Sequence, residues 1–100
     1  MALAELTKED FSPCLNQRFR IHRDDGEPID VELVEVSGLV PPDDDPDRRE
    51  PFSLVFEGPL DAPLPQRIYR LENEILGELD LFVVTVGPYR EKMRHEVVFT

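Results

Sequence analysis

The sequence predicts a mainly β fold: about six antiparallel strands in a small sandwich or barrel, with a short N-terminal helix. Three observations predict it. Apolar residues recur with period two in short runs from Arg18 to the C-terminus. Breaks rich in Pro, Gly and Asp separate the runs. Neighbouring runs can be folded together so that apolar side chains meet on one face and opposite charges on the other. The 100 residues make one domain, long enough to bury roughly two-thirds of the surface its unfolded chain exposes. Val, Leu, Ile and Phe dominate the apolar fraction, so a core is available despite the high charge.

Residues 1–17 form an N-terminal helical segment. Thr7 can cap a helix start, and Asp10, three residues on, can reach back to it. Pro13 limits the helix to one or two turns, because it disfavours the helical region at Ser12. Leu3, Leu6 and Phe11 are expected to pack on the body.

Phe19 and Ile21 alternate with Arg18, Arg20 and His22, and Ile29, Val31 and Leu33 alternate with Asp30 and Glu32. Between them lies Asp24-Asp25-Gly26-Glu27-Pro28, a turn-rich cluster. A hairpin setting Phe19 opposite Leu33 and Ile21 opposite Val31 also sets Arg20 opposite Glu32 and His22 opposite Asp30. Beyond Leu33 the apolar pattern changes face at Val34 and Val36, which predicts a bulge or two-sided burial. Residues 41–51 are then expected to form a mobile acidic loop.

Phe52, Leu54 and Phe56 alternate with Ser53 and Glu57 in a third strand, and a proline-rich loop spans 58–65. Residues 68–72, 79–86 and 93–99 give three more strands. One register sets Tyr69 against Leu81, Leu71 against Leu79 and Arg70 against Asp80. Another sets Thr85 against His95, Val83 against Val97 and Leu81 against Phe99. The last three strands therefore read as a meander with 79–86 in the middle. That strand is apolar on both faces apart from Asp80 and Thr85, as central strands usually are.

The balance of 22 Asp and Glu against 11 Lys and Arg gives a net charge of -11. Such a field repels nucleic acid and anionic membrane surfaces, and no apolar run approaches the length of a membrane helix. The first ten residues lack the basic start and apolar run of a signal peptide, so a cytoplasmic location is expected, with assembly or signal-independent export left open.

Each chemical candidate has a plainer reading. The acidic run Asp43-Asp44-Asp45-Pro46-Asp47 could hold a hard cation, but it lacks the spaced ligands and turn glycine of a calcium loop and carries Arg48 and Arg49. It reads as a solvated loop. His22 and His95 are the only histidines; as a metal pair they would need to adjoin and to recruit a third ligand. Cys14 excludes an internal disulfide and, without an activating histidine, reads as a buried inert thiol. Arg18, Arg20, Arg23, Arg67, Arg70 and Arg94 could grip an acidic partner, but the registers already offer them Asp30, Glu32 and Asp80. The glycines form no phosphate loop, and no serine lies in a nucleophile elbow. The sequence therefore nominates no catalytic residue, no metal ligand and no cofactor.

Pro51-Phe52-Ser53-Leu54-Val55-Phe56-Glu57-Gly58-Pro59, with Leu76-Gly77-Glu78-Leu79-Asp80-Leu81-Phe82 running on to Val86-Gly87-Pro88, resembles a family of uncharacterised bacterial proteins of about this length, carried as a domain of unknown function. The segments Leu64-Pro65-Gln66, Tyr69-Arg70-Leu71-Glu72, Met93-Arg94 and Val97-Val98-Phe99 are similar too, as is the opening around Leu6-Thr7 and Glu9-Asp10-Phe11. The resemblance implies no activity and no catalytic residues. It implies an accessory or structural part of a tail- or appendage-like assembly, through an association with phage-tail-collar-like proteins. The matching segments are strands and turn punctuation rather than chemistry.

The first expectation is a non-enzymatic β-domain acting on an unknown protein partner, through an edge strand at Phe52, Leu54 and Phe56. The second is a small-molecule-binding barrel whose mouth is ringed by loops 41–51 and 58–65. The third is a small hydrolase-type enzyme using His95, Cys14 or a carboxylate pair. The oligomeric state is open.

Overall fold

The computed structural model describes residues 6–23, 26–38, 51–62 and 64–99. Helix α1 (Lys8–Phe11) runs into a 3-10 turn (Ser12–Cys14), and six strands follow: β1 (Arg18–His22), β2 (Ile29–Gly38), β3 (Phe52–Gly58), β4 (Arg67–Asn73), β5 (Gly77–Tyr89) and β6 (Lys92–Phe99). All pairs are antiparallel, in the order β1-β2-β3-β6-β5-β4, and β4 pairs back onto β1 to close a barrel. The expected run 41–51 lies outside the described residues except for Pro51.

Closure has a local cause. β5, at 13 residues, serves two ladders: it pairs with β4 up to Val83 and with β6 from Val84 onward. A strand shared this way must bend, and its ladder with β6 is interrupted between Thr85 and Gly87. Gly87 there has φ 119, a conformation that side chains resist. The second irregularity falls between Leu33 and Glu35 in β2, at the change of apolar face read from the sequence. Bulges of this kind turn an open sheet into a barrel.

Inward residues fill the interior. Phe19 and Ile21 from β1, Leu54 and Phe56 from β3, and Leu81 and Val83 from β5 belong to one buried cluster. Phe19 and Phe56 meet edge to face at 5.1 Å. Phe52 and Phe99, opposite each other across the β3–β6 ladder, stack at 4.5 Å, and Phe11 from α1 leans on both. The short helix thus plugs one end of the barrel. Each such ring contributes about 1.5–3 kcal/mol by leaving water. Asp10 fixes the helix start by accepting the Thr7 N–H at 2.8 Å and the Thr7 hydroxyl at 3.2 Å. At the inward position Gly58 the interior has no spare room: a Cβ would stand 2.7 Å from Val31 Cγ1.

The β4–β5 register is the predicted one, with Tyr69 opposite Leu81, Arg70 opposite Asp80 and Leu71 opposite Leu79. Thr85 faces His95 as predicted, but the β5–β6 ladder ends at Val84–Glu96. The expected pairs Val83–Val97 and Leu81–Phe99 therefore fall outside the ladder, because β5 has by then turned to β4.

The first hairpin is corrected by two residues: Phe19 faces Val31, Ile21 faces Ile29 and Arg20 faces Asp30. A two-residue slip leaves every side chain on its face, so alternation alone cannot choose between the registers. The choice comes from the segment before β1. Asn16 adopts φ 68, and bonds from Asn16 N–H to Leu33 O and from Leu33 N–H to Gln17 O continue the observed register. Asparagine tolerates this left-handed conformation better than most side chains.

β3 is also corrected. It was expected at an edge, yet it pairs along its length with β6 and with β2 on its other side, leaving no open backbone for strand addition. Its flanking prolines suggested an edge, but they lie outside the strand.

Candidate functional site

The candidates nominated by residue type are held apart. Cys14, the last residue of the 3-10 turn, is fully buried, and its thiol points to Asn73 Oδ1 at 3.6 Å. The same carboxamide oxygen accepts the Ile75 and Leu76 N–H groups, and its nitrogen donates to Arg18 O. Burial pushes the Cys14 thiol up, away from the reactive thiolate. Its partner is an asparagine, not a histidine.

His22 sits half-exposed on β1 and contacts Glu72 on β4 through Nε2, across the seam that closes the barrel. It was expected beside Asp30; the two-residue register shift gives Asp30 to Arg20 instead, at 3.3 Å. Arg18 also reaches Asp30, at 4.0 Å, and Arg70 reaches Asp80 at 3.5 Å. Arg94 meets Glu57 at 2.9 Å from directly across the β3–β6 ladder. The arginines are thus interleaved with acids rather than gathered into a basic strip. Arg94 also relieves a like-charge opposition, Glu32 with Glu57.

His95 is completely buried on β6. Its Nδ1 lies 2.9 Å from Thr85 Oγ1, which also bonds Leu64 O at 2.9 Å and Leu64 N at 3.0 Å. The hydroxyl has a single proton. Given to Leu64 O, it leaves Oγ1 to accept both Leu64 N–H and His95 Nδ1–H, satisfying all four groups. This assigns the Nδ1-protonated tautomer and leaves Nε2 as a bare, buried lone pair with no partner among the described residues. Desolvation lowers the His95 pKa, so the ring is held neutral. The node pins the loop before β4 to the barrel, and Ala62 and Leu64 pack into the core beside it.

Asp43, Asp44, Asp45 and Asp47 lie outside the described residues. Among the described residues no three His, Cys, Asp or Glu side chains are grouped as a metal site. An open, mostly polar groove is bordered by Arg18, Arg20, Glu32, Glu57, Glu72 and Glu78. Of the two loops expected to ring a ligand mouth, 41–51 lies outside the described residues except for Pro51.

The feature without a structural explanation lies on the outer face of β5. Leu79, Leu81 and Val83 point inward, while Phe82, Val84 and Val86 point outward. Phe82 is 48% exposed and Val86 56%. Ile68, directly opposite Phe82 on β4, is 65% exposed, and Val98 on β6 is 50% exposed. β5 is central in the ladder, as its two apolar faces predicted, but only its inner face is covered. The signal was legible in the alternation of 79–86; among the described residues no element is layered over that outer face.

Comparison with known proteins adds one match. Residues 6–99 match the family described as a domain of unknown function, DUF6916. No curated protein and no solved structure matches the chain.

Proposed function

We propose, from the premise that this chain belongs to the DUF6916 family of domains of unknown function, that it is a non-enzymatic domain working by protein–protein contact. Its setting would be an accessory or structural role in a tail- or appendage-like assembly. The contact surface is the outer face of β5, with Ile68 of β4 beside it. The observation carrying this reading is the exposed pair Ile68 and Phe82, directly opposite each other across the β4–β5 ladder, with Val86 exposed farther along the same strand. Scattered apolar residues on a surface need no explanation, but adjoining ones on a regular strand mark contact sites. Strand addition at β3 is replaced by side-chain packing, because the backbone of β3 is already paired on both sides.

Other observations fit a binding role better than catalysis. Cys14 bonds an asparagine, His95 is locked into a structural node, and His22 bridges the barrel seam. The net charge of -11 disfavours nucleic acid as the partner. No helix among the described residues is long and apolar enough to cross a membrane.

The test is affinity capture from the source organism with the wild-type chain and with Phe82→Glu and Ile68→Glu. The reading expects a stoichiometric partner that both variants lose while keeping the wild-type circular dichroism spectrum. Capture unchanged by either variant would remove the outer face of β5 from the account.

A further inference from the structure

Because neighbouring strands are all antiparallel, the starts of β1 and β3 and the end of β6 share one rim of the barrel, the rim that α1 plugs. The end of β3 and the start of β4 share the other rim. There Ala62 and Leu64 pack into the core. Thr85 Oγ1 accepts Leu64 N–H at 3.0 Å and donates to Leu64 O at 2.9 Å, and the Tyr69 hydroxyl donates to Pro65 O at 2.6 Å. His95 joins this group through its Nδ1–H bond to Thr85. Around its ring, Phe56 lies opposite on β3 and Thr85 on β5, while β1, β2 and β4 turn apolar side chains and the Tyr69 phenol inward. The charged neighbours Arg94, Glu96 and Glu57 face the outside, where Arg94 pairs with Glu57. The buried Cys14 thiol belongs to the 3-10 turn at the other rim. Among the described residues no carboxylate faces the His95 ring.

We propose that the His95–Thr85–Leu64 node is an acid-released latch, which frees Ala62 and Leu64 from the rim while the six strands stay paired. The latch is independent of the contact surface on β5. A proton arriving from solvent enters at Nε2, the free lone pair of the ring. The Nδ1–H bond to Thr85 survives, but the new Nε2–H has no acceptor among the described residues, and a cation is left in an apolar interior. That state becomes tolerable once water reaches the ring. The strands are held by continuous ladders, whereas Leu64 and Pro65 are held by part-buried bonds that water can replace. The rim segment is therefore the part that gives way. Closed, burial keeps the ring neutral; open and hydrated, it takes a proton near the ordinary histidine value of about 6.5. The open fraction is lowest above that pH and rises by as much as about tenfold for each pH unit below it.

Amide hydrogen exchange of the full chain, followed by NMR from about pH 7.5 to about pH 5 and corrected for intrinsic rates, tests this. The opening equilibrium of the Leu64 amide should rise by up to about tenfold per pH unit below about 6.5, with a urea dependence well below that of the strand amides. The Gln17 amide, bonded to Cys14 O at 3.0 Å at the other rim, should open to the same extent throughout. His95→Gln should flatten the Leu64 profile, and His22→Gln, which removes the other histidine, should leave it unchanged. A Leu64 amide that ignores pH overturns the latch. So does one that shares the full urea dependence of the strand amides, because global unfolding alone would then take up the proton. A profile flattened by His22→Gln overturns it as well, by assigning the titration to the β1–β4 seam. Should His95→Gln not fold, the wild-type and His22→Gln profiles still decide.

Discussion

Replacing Thr85 with valine keeps the side-chain shape and removes one oxygen that serves three groups: Leu64 N–H, Leu64 C=O and His95 Nδ1. The two backbone groups are part-buried, so the loop can relax and recover part of their hydration. His95 cannot, because it is completely buried and its Nε2 already has no partner among the described residues. An unsatisfied buried polar group costs about 1–3 kcal/mol, so the imidazole N–H at that cost plus a partial contribution from Leu64 gives about 2–4 kcal/mol. That is a large share of the roughly 5–15 kcal/mol by which such domains are stable. Urea unfolding followed by circular dichroism reads it as a lower midpoint with an unchanged slope. Thr85→Ser keeps the oxygen and should cost less than about 1 kcal/mol, the worth of a methylene. A valine variant within about 0.5 kcal/mol of wild type, or a serine variant as unstable as valine, would refute the node, since surface-like changes lie in that range.

Two further outcomes follow from the same packing. His95 is held neutral by burial, so its native pKa lies below its unfolded value. Its contribution is complete above about pH 6.5 and is lost as pH falls below that, by up to about 1.4 kcal/mol per pH unit, while the unfolded ring takes a proton that the native one refuses. The difference in slope between wild type and His95→Gln, measured by urea unfolding at stepped pH, isolates it; parallel curves would contradict it. Gly58→Ala forces a methyl against Val31 Cγ1 and should cost about 1–3 kcal/mol by thermal or urea unfolding, partly recovered by Val31→Ala in the same chain.

Much of the barrel was legible in the alternation of apolar and charged residues. The meander of β4, β5 and β6 followed because Arg70 and Asp80, with Tyr69 and Leu81, satisfy both faces in one register. The first hairpin was off by two residues because such a slip keeps every face intact. The deciding contacts, at Asn16 and Gln17, come from outside both strands. The pairing of β3 with β6 and of β1 with β4 is long-range, and local periodicity carries no information about it. The outer apolar face was visible as two-sided hydrophobicity in 79–86. Two apolar faces read as a central strand, which β5 is, but which side the fold leaves exposed depends on closure, and local alternation does not specify that. The His95 node was half-legible: Thr85 opposite His95 was expected, but the reach of Leu64 into it depends on a loop path that no pattern specifies.

Whether the outer face of β5 is covered in the working state is measured side chain by side chain by hydroxyl-radical footprinting of the chain alone and in complex with the partner recovered by affinity capture. Leu60 and Ile75, exposed elsewhere on the barrel, serve as internal references. Contact through this face predicts that Ile68, Phe82 and Val86 become protected in the complex while Leu60 and Ile75 stay reactive. Equal reactivity of all five in both states would contradict it.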